Sequence, residues 1–307
     1  MTKCRGLSLM SGGLDSQLAI KVLERAGAHV EAVTFVSPFF KDDSSCERFA
    51  ANLGVKLHRI DFTDCLVALL KAPPHGFGGA MNPCIDCHAT MIRKAGELME
   101  SLGYDFVATG EVVGQRPMSQ NRQSIGVVAK TSGLEGRLVR PLSALLLAPT
   151  KVEEEGLLDR SLLLDISGRS RERQIALAAE FGIEDYPSPA GGCRLTEEGF
   201  GRKVRDLMEH EGLGERWLVE LLSVGRRFRL PGGTSVILGR DKAENERLEA
   251  LSGKGVLLRP EGKPGASALL VSANSEDDLS LARELVEAYA KGGAIEARER
   301  FRPFQLI

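Results

Sequence analysis

The 307 residues carry 40 Lys and Arg against 42 Asp and Glu, a net charge of −2, with 43% apolar residues; this suits a globular chain of about two domains. No uninterrupted run of the ~20 apolar residues needed to cross a bilayer occurs, and the N-terminus lacks a basic segment followed by a long apolar stretch, so a membrane is excluded as partner and the cytoplasm is expected. Six cysteines without a secretory signal argue against a disulfide framework and for thiol or metal chemistry at some of them, while the balanced charge leaves nucleic acid open, because a local basic face can be cancelled elsewhere.

In chain order, residues 6–10 read as a short buried strand and 16–26, closed by Gly27, as a helix. The turn between them is Ser11-Gly12-Gly13-Leu14-Asp15-Ser16. Its glycines let the backbone fold close around a ligand, and its N–H groups together with the helix N-terminus form a nest for an anion, phosphate above all. The pattern then predicts a strand over 29–36, a helix over 45–53, a strand over 56–60 and a helix over 64–70. Residues 72–83 are too rich in Gly and Pro for either and form a surface loop. A helix over 85–102, closed by Gly103, and a strand over 106–109 follow.

Alternating βα units predict an α/β fold, a doubly wound parallel sheet with helices on both faces. Ligands in such sheets bind beyond the carboxyl ends of the strands where strand order reverses. That is where the Ser11 turn lies and where the segments after Phe35 and Thr109 should arrive. A helix over 171–181 precedes a Gly- and Pro-rich break over 186–193, and a boundary near Thr196 divides the chain into domains 1–195 and 196–307. The second reads as a smaller α+β domain: helices over 197–209 and 215–222, a hairpin of strands 226–230 and 234–238 around Pro231-Gly232-Gly233, a capped helix over 275–290 and a closing strand.

Cys84-Ile85-Asp86-Cys87-His88 has the spacing that lets two thiolates at a helix start converge on a metal or on each other. Cys193 stands in a comparable Gly/Pro setting and makes three sulfurs. Three thiolates can hold a [4Fe–4S] cluster and leave one iron open to bind sulfide. A cluster-free arrangement also fits, with one cysteine carrying a persulfide and another resolving it. Cys4, Cys46 and Cys65 read as packing residues.

The Ser11–Ser16 turn lacks the lysine of the common phosphate loop. It resembles the pyrophosphate loop of the PP-loop ATPases, which cleave ATP between the α- and β-phosphates and pass AMP to a carbonyl oxygen. Together with Asn82-Pro83-Cys84, Cys87, Val139-Arg140-Pro141-Leu142 and the distal Cys193, it is similar to the PP-loop tRNA thiouridine synthetases over roughly residues 5–195. The resemblance implies an adenine nucleotide α-hydrolase-like fold and an ATP-dependent tRNA sulfurtransferase, with sulfur from a donor protein or sulfide. It implies that Ser11, Gly12, Gly13, Asp15 and Ser16 hold the phosphates, that Asp15 ligates Mg²⁺, and that Thr34 and Phe35 contact adenine or ribose. Gly110 lies beside the nucleotide, Arg140 offsets charge on departing pyrophosphate, and Cys84, Cys87 and Cys193 handle sulfur. The catalytic set is then Asp15, Cys84 and Cys193. Where many relatives have Gly-His after the fourth strand, this chain has Gly110-Glu111, followed by a loop with Gln115, Arg116 and Gln120.

The C-terminal region is similar to the RNA-binding module of the NFACT proteins around Val224-Gly225-Arg226 and residues 236–240. Alternation on a strand puts Arg227 and Arg229 on one face and Arg226 and Phe228 on the other, an arrangement suited to phosphate contact with one stackable aromatic. Two other function classes stay open: an adenylating ligase or amidotransferase on a non-RNA substrate, and a non-catalytic RNA-binding protein.

Overall fold

A computed structural model describes residues 4–41, 45–116, 119–188, 192–273 and 275–306. The chain forms two compact units, Met1–Arg194 and Leu195–Ile307. No helix among the described residues is long and apolar enough to cross a membrane.

The first unit contains β1 (Arg5–Leu9), α1 (Leu14–Arg25), β2 (His29–Val36), α2 (Ser45–Leu53), β3 (Leu57–Asp61), α3 (Thr63–Lys71), α4 (Cys84–Ser101), β4 (Phe106–Ala108), α5 (Arg122–Ser132), β5 (Leu138–Val139), α6 (Lys151–Glu154) and α7 (Glu172–Glu180). All five strands are parallel, in the order β3-β2-β1-β4-β5. The sheet is the expected doubly wound one. The apolar stripe of α1, with Leu14, Leu18 and Val22, packs on one face beside Phe49 of α2, Ala178 of α7 and Phe106. Ile92, Ala95 and Met99 of α4 and Val128 of α5 cover the other, against Leu7, Val33 and Val107. Where β1 pairs with β4, a Cβ on Gly6 would lie 2.3 Å from the Phe106 ring. Only glycine fits there, so these strands meet closely at the point where strand order reverses.

In this unit α5 and the single-turn α6 were not among the expected elements. In α5 the Asn121 side chain accepts from the Ser124 N–H at 2.8 Å, and Gly133 closes the far end at φ 78°. Both are standard helix punctuation.

In the second unit α8 (Glu198–His210) and α9 (Arg216–Glu220) precede β6 (Arg226–Arg229), β7 (Ser235–Leu238), α10 (Lys242–Glu249), β8 (Val256–Leu258), β9 (Ala268–Val271), α11 (Glu276–Ala288) and α12 (Ile295–Glu299). The antiparallel sheet has the order β6-β7-β9-β8. The 231–233 turn is held by the Asp278 carboxylate, which accepts from the backbone N–H of Gly232 at 2.9 Å and Thr234 at 3.0 Å.

Two expectations for this unit are corrected. The closing segment is not a strand but α12 and a 3₁₀ turn, Arg302–Phe304. Ala297, Phe301 and Phe304 recur at helical spacing and pack on the core, and only Gln305 makes a bridge, to Phe228. Nor does β6 present an aromatic and free arginines: Phe228 is fully buried in that core. The face shared by Arg227 and Arg229 turns onto α8 and the residue after it. Arg229 reaches Asp206 and Glu211 at 2.7 Å each, and Arg227 lies 3.6 and 3.5 Å from the same two carboxylates. Two cations and two anions balance there, which is how charge is tolerated in an interior.

Candidate active site

The 11–16 turn joins β1 to α1 at the carboxyl edge of the sheet. Gly12 has φ 76°, in the left-handed region that a side chain would strain, and Gly13 is the N-cap of α1 with extended backbone. The Ser16 hydroxyl donates to the Gly13 carbonyl at 2.7 Å and fixes the turn. Ser11 is exposed at its tip. The N–H groups of a helix start carry partial positive charge, so the turn suits a phosphate. Asp15, in the first turn of α1, accepts from Gln115 Nε2 at 2.9 Å through Oδ2, while its Oδ1 is buried with no hydrogen-bond partner. A buried carboxylate oxygen without a donor, beside a phosphate nest, fits a hard cation shared with phosphate oxygens.

Gly110 follows β4 across the reversal point. A Cβ there would sit 2.6 Å from the carbonyl carbon and oxygen of Asp15 and 2.7 Å from Ser16 N. The close approach that Gly110 allows is to the backbone of the loop itself. Gly110→Ala should therefore lower stability by about 1–3 kcal/mol, the usual cost of overpacking, as denaturant unfolding measures.

Glu111, whose role the residues alone left open, is buried. Its carboxylate accepts from Arg140 Nε at 2.8 Å and Thr109 Oγ1 at 3.1 Å, and stands 3.2 Å from His88 Nδ1. Arg140 also donates to the Ile125 carbonyl at 3.2 Å. Burial raises the Glu111 carboxyl, but Arg140 and then His88 outweigh it and hold the group well below the carboxylate range. Arg140 is thus turned onto Glu111 and α5 within the protein. His88 lies on α4 one turn beyond Cys84, so the chain Arg140–Glu111–His88 connects the strand ends to the cysteine helix. Residues 117–118 of this loop lie outside the described residues.

At the end of β2, Thr34 is buried and its hydroxyl points at Cys46 Sγ, 3.6 Å away, and Phe35 packs edge-on against Phe62 with centroids 5.2 Å apart. Cys46 and Cys4 are packed in the core, and burial followed by Asp105 pushes the Cys4 thiol up to about 12.

Cys84 and Cys87 lie in the first turn of α4, three residues apart and so on one side. Asn82 Nδ2 donates to Cys84 Sγ at 3.2 Å. Cys193 arrives from the far end of the unit on residues 192–194, which pair with 39–41: Cys193 bridges Phe40, Arg194 N–H donates to the Phe39 carbonyl at 2.9 Å, and Lys41 N–H to the Gly192 carbonyl at 2.9 Å. Residues 189–191 of the break lie outside the described residues. Cys87 is buried, which pushes its thiol well above the ordinary value; the neighbouring Cys193 and Cys84 push it further, then Asp86 and Cys65. The structure thus brings the three predicted cysteines into one neighbourhood and adds Cys65, from the first turn of α3, which its place in an apolar helix concealed. Among the described residues no three His, Cys, Asp or Glu side chains converge tightly enough to hold a single metal ion.

Residues 1–146 match the family model of the thiamine biosynthesis protein (ThiI), and residues 225–299 match that of the NFACT protein RNA binding domain. A probable tRNA sulfurtransferase of Lysinibacillus sphaericus (strain C3-41) is 27% identical over 148 residues, 45% of this chain and 34% of the relative. The tRNA-specific 2-thiouridylase MnmA 1 of Syntrophus aciditrophicus (strain SB) is 24% identical over 232 residues, 68% of this chain and 56% of the relative. A solved 4-thiouridine synthetase–RNA complex with bound ATP is 22% identical, with a TM-score of 0.38, covering 59% of this chain and 52% of that one. The chain spans between about a third and just over half the length of these curated relatives.

Proposed function

We propose, from the premise that this chain is a PP-loop protein similar to the tRNA thiouridine synthetases, that it is an ATP-dependent tRNA sulfurtransferase acting in the cytoplasm. The observation that carries this reading is one sheet edge furnished twice: a phosphate nest with the unpartnered Asp15 Oδ1 beside it, and a helix whose first turn bears Cys84 and Cys87.

The turn over Ser11, Gly12, Gly13 and Ser16 holds the phosphates of ATP, and Asp15 would hold Mg²⁺, which would neutralise phosphate charge there. A uridine carbonyl oxygen attacks the α-phosphate and pyrophosphate leaves, so that the oxygen becomes part of a good leaving group, AMP. Sulfur carried at the cysteines attacks the same carbon and AMP departs. Gly110 keeps the β4 loop against the phosphate turn. Arg140 braces Glu111 and, through it, His88 of the cysteine helix, and Thr34 and Phe35 border the adenosine side.

Two forms of sulfur delivery suit the thiols. A [4Fe–4S] cluster on Cys84, Cys87 and Cys193 would bind sulfide at an open iron; the soft thiolate donors match that group, and metal binding would have to deprotonate the high-pKa Cys87. Alternatively Cys84, half-buried and receiving the Asn82 amide, carries a persulfide that Cys193 resolves as a disulfide. Anaerobic purification with iron and sulfide assay separates them, an active iron-free protein ending the cluster form. The cluster form takes sulfide; the persulfide form takes its outer sulfur from a persulfide-carrying donor protein and needs an external thiol to reduce the Cys84–Cys193 disulfide after each turnover; the 196–307 domain grips the tRNA.

Incubation with tRNA, ATP, Mg²⁺ and a sulfur source, followed by nucleoside analysis, tests the function. Thiouridine should form with the wild type. Cys84→Ala and Cys193→Ala should abolish thiouridine while retaining tRNA-dependent pyrophosphate release. Pyrophosphate release that needs no RNA would instead indicate an adenylating ligase.

A further inference from the structure

Among the described residues Phe77 is the one exposed aromatic side chain, at 42%. Burying a side chain of this size is worth about 1.5–3 kcal/mol, so its position at the tip of the 72–83 loop gains the fold nothing. Nor does the ring hang on slack backbone. On one side the His75 N–H donates to Asp86 Oδ2 at 2.9 Å, its Nδ1 lies 2.6 Å from Asp86 Oδ1, and Gly76 N–H donates to the Pro73 carbonyl at 3.0 Å. On the other, Gly78 N–H donates to the Asn82 carbonyl at 2.9 Å and Ala80 N–H to Asn82 Oδ1 at 3.0 Å. A Cβ on Gly78 would lie 2.4 Å from Asn82 Nδ2, so the loop is pressed onto that side chain.

Asn82 is also the residue whose amide donates to Cys84 Sγ. One side chain therefore fixes both the loop that presents the exposed ring and the sulfur at the start of α4. Asp86, which holds the other arm of the loop, lies in the same helical turn as Cys84 and Cys87. The phenyl ring is registered to the thiols by two independent anchors.

Resting on the sulfurtransferase reading, we propose that Phe77 is the stacking platform for the RNA base delivered to the cysteines, and so a specificity-determining residue of the substrate site. A planar hydrophobe flanked by glycines offers an open face, and unstacked bases are the part of RNA that proteins commonly read on aromatic side chains. The match of residues 225–299 to an RNA-binding domain favours RNA as the occupant over a protein.

The test uses the full chain with tRNA, saturating ATP and inorganic sulfide as sulfur source. Stacking on one base is worth about 1–3 kcal/mol, or roughly 5–150-fold. Phe77→Ala should raise KM for tRNA within that range, with KM for ATP and the thermal midpoint unchanged; Phe77→Trp should restore it and Phe77→Leu should not. An unchanged KM for tRNA in the alanine variant, equal rescue by leucine, or a defect seen only when a protein donor replaces sulfide would overturn the proposal. Photocrosslinking of 5-iodouridine-substituted tRNA, mapped by mass spectrometry, reads the same contact without turnover. A crosslink at residue 77 in a protein that makes no thiouridine would sustain the platform and reject the sulfurtransferase activity; no crosslink at residue 77 in a protein that does make it would reject the platform alone.

Discussion

Asp15→Ala should abolish ATP-dependent pyrophosphate release, with a rate loss of at least about 10²–10³, the scale for removing one preorganised electrostatic group from a reacting centre. The side chain does two things in the folded chain. Oδ2 accepts from Gln115 and ties the β4 loop to the phosphate turn, and Oδ1 is buried and unpartnered. Alanine removes both, so a loss of activity alone would not separate scaffold from cation site. Asp15→Asn separates them: it keeps the shape and can still accept from Gln115, but the neutral amide is a poor partner for Mg²⁺. The asparagine variant should have a wild-type melting midpoint and the same rate defect. If it released pyrophosphate at the wild-type rate, Asp15 would be a brace and the cation would have to bind elsewhere.

Arg140→Met should destabilise the protein by about 3–5 kcal/mol at neutral pH, because it leaves the buried Glu111 carboxylate without its main partner. The pH dependence follows from the direction of the Glu111 shift. In the wild type the carboxyl is held well below the ordinary range, so the stabilisation is present above that range and is lost only as pH falls through the depressed value. In the variant burial dominates instead, the folded-state carboxyl shifts upward, and protonation relieves the penalty as pH falls. His88 is the other titratable group facing Glu111. The gap between variant and wild type should therefore be widest near pH 7 and narrow toward pH 5, as read by urea unfolding at each pH. A gap independent of pH would mean that lost packing, not the charge, accounts for the defect.

Much of the first unit was legible because its signals are local. Alternation of period 2 and period 3.6 marks the βα units, and Gly12, Gly13 and the residues after them state their conformation within six positions. The CxxC pair is likewise a matter of helix pitch. What stayed hidden depends on partners far off in sequence. Glu111 becomes a buried ion-pair acid only because Arg140 returns on the neighbouring strand, and Gly110 serves the turn itself because α1 begins beneath it. Cys65 looks like any apolar-helix cysteine until α3 and α4 are placed side by side. In the second unit, the alternation in β6 correctly put Arg227 and Arg229 on one face but had no means of telling that Asp206 and Glu211 occupy it. The closing segment reads as a strand because the five-residue α12 and the 3₁₀ turn after it are each too short to declare a helical period.

The pairing of residues 192–194 with 39–41 also orders events in time. The phosphate turn and the Cys84–Cys87 turn each close within a few residues, which a chain does quickly. Cys193 must bring its ribbon back across some 150 residues of intervening chain, a closure whose entropy cost grows with separation and which comes late in folding. During synthesis from the N-terminus, a nascent chain can thus shape its nucleotide turn well before the third thiol emerges, and the two halves of the site become one only when Gly192 and Arg194 take hold of the segment after β2.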